Sequence, residues 1–369
     1  MMTSQDSHYQ RAMSLYGNRR IDESIQELRA ATMEEPGDSQ TFRVLGTILD
    51  TQGLKTEALD AYMHALAINP ADYRSHVGAG VALRAIGDKG ASVEHLHEAV
   101  RIDPAVARSH FELGITLDEI GAVDAALEEY EKALELDPNF RDARYNMGLA
   151  LTTLGRYPEA ITAFETYLVS KPNSARAHTS LGRTYSLTGD LDSAVAEYRE
   201  AILADDNYSK AHYDLALALE DQANPEDAIA EYREAIRCNP DFSEAHYNLG
   251  VLFVKRGQPE DALAEFREAV RINPDNERAH NNLGKLYLSR TETYVAVSEF
   301  REALRINPYY AKAHHNLALA MRDAGDLEDA IGHFREALRL DPDDMAAFNG
   351  LNDLLARTRE NQGAELINL

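Results

Sequence analysis

Eight histidines fall on one lattice of 34 residues: His8, His76, His110, His178, His212, His246, His280 and His314. Imidazole can ligate a metal or move a proton near neutral pH, so the register invites a site. Geometry opposes it. Packed helices lie about 8–10 Å apart, whereas two ring nitrogens sharing a metal sit within about 4 Å. Side chains one period apart replace one another rather than converge, so no metal site is expected. The rings are expected to pack between helices with one polar edge satisfied, and acid would then loosen the fold by charging neutral buried rings. The single cysteine, Cys238, allows no intramolecular disulfide and no cysteine-based zinc site. Its counterparts one, two and three periods later are Ile272, Ile306 and Leu340. It therefore reads as a small core residue.

Other reaction-bearing patterns are missing from the sequence. It has no Gly-Lys-Ser/Thr phosphate loop, no G-x-G-x-x-G after a strand and no G-x-S-x-G elbow. No catalysis and no cofactor are expected. The 369 residues carry 37 Lys+Arg against 62 Asp+Glu, a net charge of −25. Such a chain is poorly suited to displacing counterions from nucleic acid, so no nucleic-acid partner is expected. The polar start MMTSQDSHYQ resembles no secretory signal, and no apolar run is long enough to insert in a membrane. A cytoplasmic location is expected.

The elements that must position these residues are set by the same period. Pro36, Pro70, Pro104, Pro138, Pro172, Pro240, Pro274, Pro308 and Pro342 share the 34-residue lattice, with Asp206 at the one remaining point. Ten units follow, from Gln5, Ser39, Tyr73, Ala107, Arg141, Ala175, Ser209, Ser243, Glu277 and Ala311. The eighth position is Gly or Ala throughout, the twentieth is Ala or Ser, and the twenty-fourth is Tyr, Phe or Leu. Two small residues and a bulky one between them read as knobs and holes between paired helices. Gly53, Gly87, Gly121, Gly155, Gly189, Gly257 and Gly325 stand at position fifteen, where a first helix would end in a left-handed residue. Asn224-Pro225 with Asp227 reads as an N-cap, first helical residue and acidic first turn, and Asp326 with Asp329 repeats the cap. Asn-Pro and Asp-Pro steps close the second helix.

Leu249-Gly250, Ala262, Phe266, Ala269 and Pro274 show the full pattern in one unit. It resembles the tetratricopeptide repeat family over residues 5–344, with His where that family often has Trp at position four. The resemblance implies an all-α, right-handed α-solenoid of about ten 34-residue helix-turn-helix repeats plus a C-terminal capping helix. Residues 1–38 are expected to form a degenerate N-terminal capping repeat, 39–344 nine repeats, and 345–369 a solvating helix with a frayed NQGAELINL end. In that helix Phe348, Leu351 and Leu355 would continue the apolar stripe.

The resemblance also implies that positions 2, 5, 6, 9, 12 and 13 of the first helix line a concave groove. Their summed charge over ten units is +1, against −25 for the chain. Position two is biased basic, with Arg74, Arg108, Arg176, Lys210, Arg278 and Lys312. Position six carries Asn146, Asn248, Asn282 and Asn316, and position five carries Tyr9, Phe111, Tyr145, Tyr213 and Tyr247. An amide both donates and accepts, so such a row can pair with a peptide backbone of any sequence. Aromatic rings beside it are good interface anchors. The row is similar to the asparagine ladder of O-linked N-acetylglucosamine transferases, interrupted at Ser180 and Asp214. The expected ligand-binding set is Tyr145, Asn146, Tyr213, Tyr247, Asn248, Arg278, Asn282, Lys312 and Asn316. The expected function is a non-catalytic scaffold for protein or peptide partners. The alternatives are a recruiting accessory of a separately encoded enzyme, such as a glycosyltransferase, and a self-assembling structural protein. Replacing Asn248, Asn282 and Asn316 together by Ala is expected to weaken partner binding while leaving melting nearly unchanged.

Overall fold

The computed structural model describes residues 7–367, with side chains through Arg357. Among these residues there are 21 helices and no strand. The chain divides into two compact units, Met1–Ser193 and Ala194–Leu369. The first holds α1 (His8–Gly17), α2 (Ile21–Glu34), α3 (Ser39–Thr51), α4 (Lys55–Ile68), α5 (Tyr73–Ile86), α6 (Lys89–Ile102), α7 (Ala107–Glu119), α8 (Val123–Leu136), α9 (Arg141–Thr153), α10 (Tyr157–Ser170) and α11 (Ala175–Thr188). The division falls within α12 (Leu191–Ala204). The second unit continues with α13 (Ser209–Asp221), α14 (Pro225–Cys238), α15 (Ser243–Lys255), α16 (Pro259–Ile272), α17 (Glu277–Ser289), α18 (Thr293–Ile306), α19 (Ala311–Ala324), α20 (Leu327–Leu340) and α21 (Met345–Ile367).

From α1 to α11 and again from α13 to α21, each helix packs on the next along the chain. First helices also touch two elements on, as α3 with α5, α5 with α7, and α17 with α19. Among the described residues of each unit, second helices make no comparable contact with one another. The first helices therefore form the tighter face of each unit. This is the all-α solenoid of helical repeats that the period predicts.

The knob-and-hole reading is realised in the packing. A methyl group added at Gly250 would lie 2.8 Å from the Phe266 ring. Phe266, Phe300 and Phe334 are fully buried, each worth about 2–3 kcal/mol of transfer free energy. Position fifteen has a positive φ in all ten units: seven times Gly, and otherwise Arg19, Ala223 and Thr291 at φ 57–60°. Asn224 caps α14 by accepting the Asp227 N–H. Asp326 occupies the same place before α20, but its side chain makes no capping bond. The Asn-Pro and Asp-Pro steps form side-chain turns, as where Asn273 Oδ1 accepts the Asp275 N–H at 3.1 Å.

Two sequence expectations need correction. Cys238 is half-buried, not core, with Sγ 3.3 Å from Arg237 Nη2 and 3.6 Å from the Asp206 carbonyl oxygen. It ends α14, where the chain leaves the packed face. The buried stripe of α21 is Ala347 and Leu354, while Phe348 is 48 % exposed. Ala347 and Leu354 keep the buried positions three and ten of earlier units, while Phe348, at the histidine position, has no following second helix to cover it among the described residues. The side chains of the NQGAELINL end, and residues 368–369 entirely, lie outside the described residues.

Candidate functional site

The histidine lattice is a set of clasps between paired helices. His212, His246 and His280 place Nδ1 2.6–2.7 Å from Glu231, Glu265 and Glu299, nineteen residues on. Nε2 meets the carbonyl of the residue six places earlier: Asp206, Pro240 and Pro274. Both ring edges are satisfied, not one. The arrangement also reverses the expected effect of acid. The Glu231 bond raises the pKa of His212. At His246 and His280 burial works against the charged ring, and the Glu265 and Glu299 carboxylates outweigh it, so both pKa values are raised. In two units the carboxylate is replaced: His76 faces His95 and His314 faces His333, Nδ1 to Nδ1 at 3.0 and 2.9 Å. His95 and His333 are pushed down, by burial and then by the facing ring. Among the described residues, no group of three or more His, Cys, Asp or Glu side chains is arranged to hold a metal ion.

The asparagine row is also committed between repeats. Asn248 Nδ2 donates to Tyr213 Oη at 2.9 Å, and Asn316 Nδ2 donates to Asn281 Oδ1 at 2.9 Å. Asn282 stands at the same repeat position relative to Tyr247, and its amide works to lower that phenol's pKa against burial. Position six thus ties to position five of the preceding unit. Tyr145 Oη and Ser180 Oγ make the equivalent link at 2.9 Å. These are struts, so the triple alanine variant is now expected to lower the melting temperature as well as to weaken binding. Tyr145 is buried, with Arg176 stacked 4.0 Å from its ring centre, and it presents no face to a ligand. Asn146 is half-buried on α9 in the first unit. Tyr213 is half-buried, 4.8 Å from the Phe242 ring.

The other expected residues converge. A cavity of about 790 Å³ in the second unit is lined by Tyr247, Arg278, Asn282, Lys312 and Asn316. Sequence reasoning missed Asn281, Lys285, Tyr310, Ala311, His315, Asp341 and Asp344, which complete the lining. Lys285 stands at position nine, where most units are apolar, and that anomaly was a readable signal. Asp341 and Asp344 come from the turn before α21, which no position rule points to. Asp344 holds His315 Nδ1 at 2.7 Å and accepts the N–H of Ala346 and Ala347. Burial pushes its carboxyl up, but those bonds keep it below the usual range. Burial raises the phenols of Tyr247 and Tyr310. The site therefore offers neutral phenols, amides and exposed cations. It can hold polar chain by hydrogen bonds and charge.

Sequence models of the tetratricopeptide repeat match residues 9–73, 77–139, 119–183, 175–208, 213–277, 251–311 and 311–344. The chain belongs to the tetratricopeptide repeat family. No curated protein sequence matches it. Among solved structures, PilF of Pseudomonas aeruginosa is 21 % identical with a TM-score of 0.52, over 59 % of this chain and 97 % of its own. YrrB, described as a TPR protein with an unusual peptide-binding site, is 23 % identical with a TM-score of 0.46, over 51 % and 96 %. MamA is 25 % identical with a TM-score of 0.41, over 44 % and 95 %. The PilF likeness is one of fold. No helix among the described residues of this tetratricopeptide repeat chain is long and apolar enough to cross a membrane.

Proposed function

We propose that the chain is a non-catalytic scaffold that holds segments of other proteins against the first-helix face of its second unit. The observation that carries this reading is the polar cavity between α15, α17, α19 and the turn before α21. It gathers five residues chosen from repeat positions alone, over three successive first helices. A surface built from one position repeated along a stack suits an elongated ligand crossing helix after helix. Half-buried Tyr247 and Tyr310 supply ring surface, and Asn282 and Asn316 retain a second amide hydrogen and a carbonyl lone pair for backbone contacts.

Photocrosslinking tests the reading. A photoreactive amino acid at Lys312 should capture partner segments, whereas one at Arg335, exposed on the second helix α20, should not. Equal capture at both positions, or capture only at Arg335, would place the partner surface elsewhere.

A further inference from the structure

We propose that this cavity takes an extended acidic segment of a partner protein, with two acidic side chains on one face of the segment seated among Arg278, Lys285 and Lys312. The proposal rests on the first-helix face of the second unit being a peptide-holding surface.

The argument comes from what the basic position-two residues do elsewhere. Arg108 pairs with Glu112, and Lys210 Nζ lies 3.2 Å from Asp214 Oδ1, both four residues on along the same helix. Arg176 stacks on Tyr145, and Arg74 Nε donates to Tyr73 Oη at 3.1 Å. Each of these cations has an internal use. At the cavity the residue four places on is neutral instead: Asn282 follows Arg278, and Asn316 follows Lys312. Arg278, Lys285 and Lys312 are exposed and form no ion pair among the described residues. In a chain with 62 acidic residues, three cations share one concavity without pairing to its two carboxylates, Asp341 and Asp344, and so leave room for an external anion.

Spacing selects the anion's form. Arg278 and Lys285 are seven residues apart on α17, about 10.5 Å along the axis. Lys312 stands on the neighbouring first helix, about 8–10 Å away if packed at ordinary helix spacing. One carboxylate meets one or two of these cations and leaves the third uncompensated. An extended strand puts every second side chain on one face, about 6.6–6.8 Å apart, so two acidic residues at i and i+2 span the triangle. The far rim carries Asp341 and Asp344, with Asp344 already tied to His315. Those carboxylates repel acid beyond α19, which fixes the acidic pair toward α17.

The test is selection of random dodecapeptides displayed internally, with no free terminus, on the full chain. Enriched peptides should carry Asp or Glu at i and i+2. Their synthetic forms, blocked at both ends, should bind the R278Q/K285Q/K312Q variant at least roughly tenfold more weakly. Raising salt from about 50 to 500 mM should weaken binding to the parent chain and affect the variant much less. The three positions are exposed, and an unchanged circular-dichroism melt confirms that the variant is folded. Enriched peptides that are neutral or basic overturn the acidic assignment, while their crosslinking through position 312 would leave the peptide-holding surface standing. Acidic peptides that bind parent and variant equally also overturn it. Tenfold tighter binding when phosphoserine replaces the glutamates overturns the choice of carboxylate over phosphate. If nothing enriches, both this proposal and the peptide-holding surface fall.

Discussion

His246 Nδ1 lies 2.7 Å from Glu265 Oε2, while its Nε2 lies 3.2 Å from the carbonyl oxygen of Pro240. A carbonyl only accepts, so Nε2 carries a hydrogen. A carboxylate only accepts, so Nδ1 carries one too. The clasp therefore favours the imidazolium, which places a hydrogen toward each of the two acceptors, and the His246 pKa is raised. The rest of the sequence respects it. Where position four is not His, position twenty-three is Ala: Phe42 goes with Ala61 and Arg144 with Ala163. Arg144 Nη2 still donates to the Pro138 carbonyl at 2.7 Å. The ring replaces Trp at this slot because the slot here joins a loop carbonyl to the second helix.

Glu265→Gln should destabilise the fold by about 1–3 kcal/mol, because it weakens a charge-assisted bond to a buried ring. It should also lower the His246 pKa. The check is a denaturant melt together with NMR titration of the His246 ring. An unchanged titration would mean that Glu265 does not set the charge of the ring.

His333→Glu should convert the His314–His333 contact into the clasp found in neighbouring units. For His212, His246 and His280 the folded pKa is raised. Their contribution to stability is present below the unfolded value near 6.5, and is lost as pH rises through the folded pKa. For His333 the folded pKa is lowered, so its neutral form is favoured and stability is lost as pH falls below about 6.5. The variant should gain about 1 kcal/mol in mild acid and less at pH 8. A gain independent of pH would contradict the assignment.

Thr291→Gly should stabilise the protein by up to about 1 kcal/mol. Thr291 is β-branched at φ 60°, a left-handed conformation that costs about 1–2 kcal/mol, and relief of that strain exceeds the added chain entropy of glycine. Gly257→Ala, at φ 71°, should do the reverse. Thermal melts of the two variants moving in the same direction would refute the argument.

Ser109→Ala should raise stability by about 1 kcal/mol. Ser109 Oγ is buried without a hydrogen-bond partner. At the same position Ser75 Oγ donates to Asp72 Oδ2 at 2.7 Å, but the residue in the place of Asp72 is Val106. Ser75→Ala, which removes a satisfied bond, serves as the destabilising comparison in chemical denaturation.

Asn248→Ala should lower the melting temperature, by loss of about 1 kcal/mol for the strut to Tyr213. Asn146→Ala, at the same repeat position on α9, should cost less, because the residue 35 places before it is Phe111, whose ring offers no hydroxyl to bond. A null effect at Asn248 would restore the reading of this row as a free ligand surface.

The period alone determined the elements of this protein. Thirty-four-residue spacing of Pro, Gly, Ala and aromatic residues dictates helix ends, left-handed turns and interlocking faces, because each is a local demand of backbone or close packing. The resemblance to a known repeat family, not the period itself, implied that Tyr247, Arg278, Asn282, Lys312 and Asn316 share a face. Tertiary structure decided what those faces do. Asn248 and Asn316 were spent on neighbouring repeats and Tyr145 was buried, since a residue's partner 35 positions away is set by how successive units dock. Asp341 and Asp344 joined the cavity from the turn that closes the last repeat, outside the first-helix positions expected to line a groove. The direction in which the histidine pKa values shift was likewise decided only when Glu231, Glu265 and Glu299 were brought against the rings, because a pKa is a property of surroundings and not of residue type.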